Sequence, residues 1–97
     1  MKFMIECLDK PDSAALRAEH RPAHRAYLAS IQPKLFLAGG LLDEAGASRG
    51  SFYIAEVADW AEARDLIEQE PNVQAGVFEK VSIYEFRLLI ADGARVV

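Results

Sequence analysis

The only two histidines of the chain, His20 and His24, lie four residues apart in EHRPAHRAYL, residues 19–28. Arg17, Arg21 and Arg25 recur at the same four-residue spacing, and Tyr27 follows. An imidazole changes protonation near neutral pH, so a histidine at the edge of a core is suited to general acid–base work. A guanidinium such as that of Arg21 binds a carboxylate or phenolate through two parallel hydrogen bonds. Two histidines one helical turn apart could supply two metal ligands, but no HExxH pattern and no third ligand accompany them, so no metal site is expected. The competing reading is plain: arginines at helical spacing commonly form a solvated face steadied by nearby acids.

Pro22 makes the stretch unusual. Inside a helix proline removes a backbone hydrogen bond, so it is expected either to kink the helix or to begin a new one. In a continuous helix Tyr27 and His20 fall on the inward side and His24 at its margin. Ser51, which opens a strand after Gly50, and Asp43, which closes a glycine-bearing strand, are further polar candidates for ligand contact. Each has a simpler role as a loop terminator or turn residue. No GxSxG elbow is present, which argues against a serine hydrolase. Gly39-Gly40 lacks the spacing of a phosphate loop or a dinucleotide fingerprint, so no cofactor is expected.

The elements that would position these groups follow from periodicity. Residues 2–8 (KFMIECL) read as a strand ended by the turn cluster Asp9-Lys10-Pro11-Asp12. Leu16, His20, Ala23, Tyr27 and Ile31 mark a helix from Ser13 to about Gln32, with Asp12 or Ser13 as its cap and Pro33 as its stop. Residues 35–42 (LFLAGGLL) give a second strand and 51–57 (SFYIAEV) a third. Asp59 and Glu62 begin a second helix in the manner of a capping box, and that helix stops near Glu70-Pro71. Residues 77–87 alternate as a long fourth strand.

The order βαββαβ is the ferredoxin-like split arrangement, an α+β fold on an antiparallel sheet. Asp92-Gly93 in the tail signals a hairpin, free to return on the fourth strand or to pair with another chain. Two helices cover one face of a four-stranded sheet, yet the second and third strands are apolar on both faces. A homodimer with two sheets face to face is the simplest way to cover the remainder.

With 97 residues the chain is one domain, a core of about residues 1–87 with an extension over 88–97. Just over half its residues are hydrophobic, as in an ordered globular protein. No apolar run approaches the roughly 20 residues that span a bilayer, and the N-terminus is unlike a signal peptide, so a cytoplasmic protein is expected. The single cysteine, Cys7, forms no internal disulfide and reads as a buried, inert thiol. Eleven basic against fifteen acidic residues give a net charge of −4, which disfavours nucleic acid and anionic membranes as partners.

Several segments, in order and spacing, resemble the YCII-related (YciI-like) family. They are Arg21-Pro22-Ala23-His24, Leu37-Ala38-Gly39-Gly40, Gly50-Ser51 with Ile54-Ala55-Glu56, and Glu70-Pro71 followed by Ala75-Gly76-Val77-Phe78 and Val81. The resemblance covers residues 1 to about 86. It implies a dimeric ferredoxin-like fold of the α/β-barrel type and a pocket holding a histidine and an aspartate; one branch of the family dechlorinates a hydroxyquinone. By position the histidine falls on His24. The aspartate falls on Glu70, which keeps the carboxylate but adds a methylene.

Two functions suit this pattern. One is a small cofactor-independent lyase, isomerase or dehalogenase-like enzyme for an aromatic or lactone-like substrate. In it His24 is the acid/base, Glu70 its carboxylate partner and Arg21 an anion clamp. The other is a noncatalytic dimeric module that binds a small ligand or serves in stress.

Overall fold

A computed structural model describes residues 1–97. Its elements are β1 (Lys2–Asp9), α1 (Ala14–Ile31), a short 3-10 turn (Gln32–Lys34), β2 (Leu35–Leu42), β3 (Ser48–Glu56), α2 (Trp60–Glu68), α3 (Pro71–Gln74) and β4 (Phe78–Phe86). A terminal ribbon, β5 (Ile90–Ala91) and β6 (Ala94–Arg95), follows. The main sheet runs β2-β3-β1-β4, antiparallel throughout. The expected α+β order is present, with one additional helical turn, α3, ahead of β4.

Alternation in β1 sets the layers. Phe3, Ile5 and Cys7 are buried on the helix side, while Met4, Glu6 and Leu8 face the other way. Pairing places Ala55, Tyr53 and Ser51 of β3 opposite Phe3, Ile5 and Cys7, and all three are buried. From above, α2 adds Ala63, Leu66 and Ile67, and Trp60 meets the Phe3 ring edge-on at 5.0 Å. This helix starts on the Asp59 carboxylate, which accepts from the Glu62 N–H at 2.8 Å. Glu62 in turn accepts from the Ala58 N–H at 2.9 Å, one residue earlier than in the standard capping box.

The first helix packs differently. It runs unbroken from Ala14 to Ile31 through Pro22, so the proline begins no new helix. The Ser13 side chain makes no capping bond. Only Ile31, at its last residue, is fully buried; Leu16, Tyr27 and Leu28 are packed partway against the core. Beneath it, Ala38 and Gly40 of β2 stand opposite Tyr53 and Ser51. Such small residues leave the space between α1 and the sheet unfilled. That space holds the candidate site.

On the opposite face of the sheet Leu37 and Tyr84 are exposed and Met4, Phe52 and Ile54 half-buried. The Phe52 ring lies over Gly39, where an added Cβ would meet it at 2.9 Å. The tail hairpin closes on itself: Asp92 (φ 52°) and Gly93 (φ 72°) form its two-residue turn, and β5 pairs only with β6. No helix is long and apolar enough to cross a membrane.

Candidate functional site

Glu70 reaches the site because of the proline after it. Pro71 occupies the first position of α3, where its missing N–H costs nothing, and Glu70 is the cap, accepting from the Asn72 N–H at 3.0 Å. This bend buries the carboxylate beneath α1, where Glu70 Oε1 also meets His24 Nδ1 at 2.7 Å. The Glu70 side chain is 1% exposed and that of His24 16%. Since a carboxylate only accepts, Nδ1 is the donor in this contact, and in the neutral imidazole the lone pair then falls on Nε2. The additional methylene of glutamate does not break the pair.

Arg17 lies two turns before His24 on the same helix. One end of its guanidinium binds the Asp9 carboxylate, which also accepts from the Ser48 hydroxyl at 2.8 Å. The other end approaches Ser51 Oγ at 3.5 Å, and the group rests 5.4 Å from the Phe78 ring centre. Two hollows meet here. One, of about 310 Å³, is bounded by Arg17, Arg21, His24, Arg25, Leu28 and Asn72. The other, of about 260 Å³, is bounded by Arg17, His24, Leu28, Ala38, Gly39, Gly40, Ser51 and Tyr53. Arg17, His24 and Leu28 form the wall between them.

Several buried polar atoms around this wall lack partners: Arg17 Nε, the Tyr53 hydroxyl, Glu70 Oε2 and both side-chain atoms of Asn72. Polar groups left this way cost about 1–3 kcal/mol each, so their concentration in one place singles this region out as the candidate site. Cys7 is fully buried and lines neither hollow. Burial first, then the charge of Glu70, pushes its thiol from 9.0 up to about 12. The folded state therefore holds this proton more tightly than the unfolded chain. The resulting stability is intact below about pH 9 and is lost as pH rises toward 12. Urea midpoints measured from about pH 8 to about pH 11 should show a smaller alkaline decline for Cys7→Ala than for the parent.

The other sequence candidates separate. Ser51 is buried against the second hollow, and Arg21 stands exposed at the rim of the first. Asp43 lies elsewhere, in the β2–β3 turn. It accepts from the Ala47 and Ala45 amides at 3.0 and 2.9 Å and pairs with Arg49 at 2.8 Å. Those amides, Ala47 first, and Arg49 hold its carboxyl below the usual range. Tyr27 is likewise a brace: its hydroxyl donates to the Leu66 carbonyl and ties α1 to α2. Burial, and next the charge of Asp65, push its phenol up. Tyr27→Phe should lower unfolding free energy by about 1 kcal/mol in urea titrations and leave ligand binding unchanged.

Comparison with known proteins agrees with this fold. The YCII-related domain matches residues 1–87. The chain belongs to that family. This YCII-related domain is 35% identical over 95 residues to the proteins named YciI of Escherichia coli O6:H1 and Shigella flexneri, covering 90% of this chain and 97% of each relative. It is also similar to 5-chloro-2-hydroxyhydroquinone dehydrochlorinase from Burkholderia phenoliruptrix, solved in complex with 2,5-dihydroxybenzoquinone. That likeness has a TM-score of 0.82 at 29% identity and covers 90% of this YCII-related domain and 94% of the enzyme.

Proposed function

We propose that this chain is a small enzyme of lyase or isomerase type, using its own side chains for acid–base chemistry on an oxygenated aromatic or lactone-like compound. The observation that carries the reading is the 2.7 Å contact between His24 Nδ1 and the buried Glu70 carboxylate, beside two open hollows. Glu70 fixes the tautomer of His24 and stabilises the imidazolium formed when Nε2 accepts a proton. In an elimination, Nε2 takes a proton from the substrate. The released electron pair moves into the ring system and expels the leaving group with its bonding electrons. For a chlorinated hydroxyquinol one O–H proton first moves to the chlorine-bearing carbon, giving the keto form. Nε2 then removes a second O–H proton, chloride leaves with the C–Cl electrons, and the net change is loss of HCl with no oxidant or reductant consumed. The dehydrochlorinase similar to this chain supports that substrate class.

Arg21 at the rim would meet a charged substituent, and Ser51 would hydrogen-bond a ring oxygen. The apolar face presented by Leu37, Phe52, Ile54 and Tyr84 would be covered by a second copy, giving a homodimer. Chloride release from 5-chloro-2-hydroxyhydroquinone tests the reaction. The parent is expected to release chloride at a rate at least about 10²-fold above that of His24→Gln, which keeps a donor toward Glu70 but supplies no base. Equal rates would remove the acid–base assignment.

A further inference from the structure

The two hollows beside His24 differ in chemistry. The one between α1 and α3 is bounded by Arg17, Arg21, Arg25 and Asn72, with no carboxylate in its wall. Arg17 is already paired with Asp9, but Arg21 and Arg25 make no ion pair, and both are exposed. In a chain of net charge −4, two unpaired guanidinia flanking one imidazole concentrate positive charge on a protein that is net negative as a whole. Asn72 adds an independent sign. It is fully buried in the same wall, and neither its amide nitrogen nor its oxygen has a partner. An unsatisfied amide in that position is complete only when another polar group arrives.

The second hollow lacks any further charge. Gly39 and Gly40 present bare backbone there, while Leu28 and Tyr53 supply apolar and aromatic surface. Such a slot accepts a flat ring edgewise or face-on. His24 belongs to both walls.

We infer that the site recognises a two-part ligand: a planar ring against Gly39-Gly40 and Tyr53, and an ionised carboxylate or similar anion held by Arg21, Arg25 and Asn72 on the other side of His24. This reading deepens the proposed function by naming the substrate class, and it rests on that function only for the location of the reacting atom. Forked guanidinium–carboxylate bonds supply orientation as well as affinity, so the anion would set which ring position faces the imidazole.

A matched pair of probes tests it, because 2,5-dihydroxybenzoate carries the carboxylate that hydroquinone lacks on the same ring. Calorimetric titration of the full chain at about 20 mM salt should show 2,5-dihydroxybenzoate binding at least about tenfold tighter. The preference should shrink at about 200 mM salt, as expected for exposed charges. In the double variant Arg21→Gln, Arg25→Gln the two probes should bind alike, with hydroquinone affinity within about twofold of the parent. Both positions are exposed, and circular dichroism checks that the variant is folded. The inference is overturned if the parent binds neither probe, binds both equally, or keeps its preference in the double variant. These readouts involve no turnover, so a failure of the acid–base assignment would be seen separately in the chloride assay.

Discussion

Glu70→Gln is expected to lower turnover by about a hundredfold or more while leaving the chain folded. The amide oxygen of glutamine can still accept from His24 Nδ1, so the ring stays in place. What is lost is the negative charge that stabilises the imidazolium once Nε2 has taken a proton. Stability should change little, because Glu70 Oε2 has no partner in the native state and a neutral amide is cheaper to bury than a carboxylate. Glu70→Asp retains the charge but draws it back by one methylene. A displacement near 1 Å can cost about 10²-fold, so this variant should also be slow despite its conservative chemistry. Chloride release and urea unfolding, measured on the same preparations, separate the effects. A glutamine variant as fast as the parent would show that the carboxylate only positions the ring.

The second large effect concerns the fold. A Cβ added at Gly50 would lie 2.0 Å from the Cys7 carbonyl oxygen, a backbone atom with no freedom to rotate away. Gly50 pairs with Leu8 in the centre of the sheet and precedes Ser51 in the site. Gly50→Ala must therefore push β1 and β3 apart, at a cost above about 3 kcal/mol. In a chain of this size that corresponds to a fall in melting temperature of more than about 12 °C. Gly46→Ala is the control, since nothing lies within 4 Å of an added Cβ there and the penalty is confined to its positive φ. Melting curves of the two variants should differ accordingly.

The sequence made the scaffold legible because its signals are local. Alternation in β1, the Asp59–Glu62 cap and the Asp92-Gly93 turn each act over a few residues, and each is found where the local signal places it. The strand β3 instead begins at Ser48, because its pairing with β2 runs past Gly50, so Ser51 lies within the strand rather than opening it. The site is another matter. His24 and Glu70 are 46 positions apart, and no spacing rule links them; only family resemblance set them side by side. Arg17 read as part of a solvated stripe because its partners Asp9 and Ser51 come from two strands that the helix crosses in three dimensions. Asn72 carries no sequence signal of its own, and only tertiary packing buries it completely. Asp43 and Tyr27 had the residue types of a site and turned out to serve a turn and a brace. The helix also runs on through Pro22, so of the two expectations there the start of a new helix is excluded.

The loose seating of α1 has a broader meaning. A helix fastened by hydrocarbon near both ends and by ionic contacts between them places few demands on its remaining side chains. Substitutions there alter which molecule is admitted more readily than whether the chain folds. Such a division lets one scaffold acquire new chemical tastes by drift along a single helical edge, while the strands beneath remain as they were.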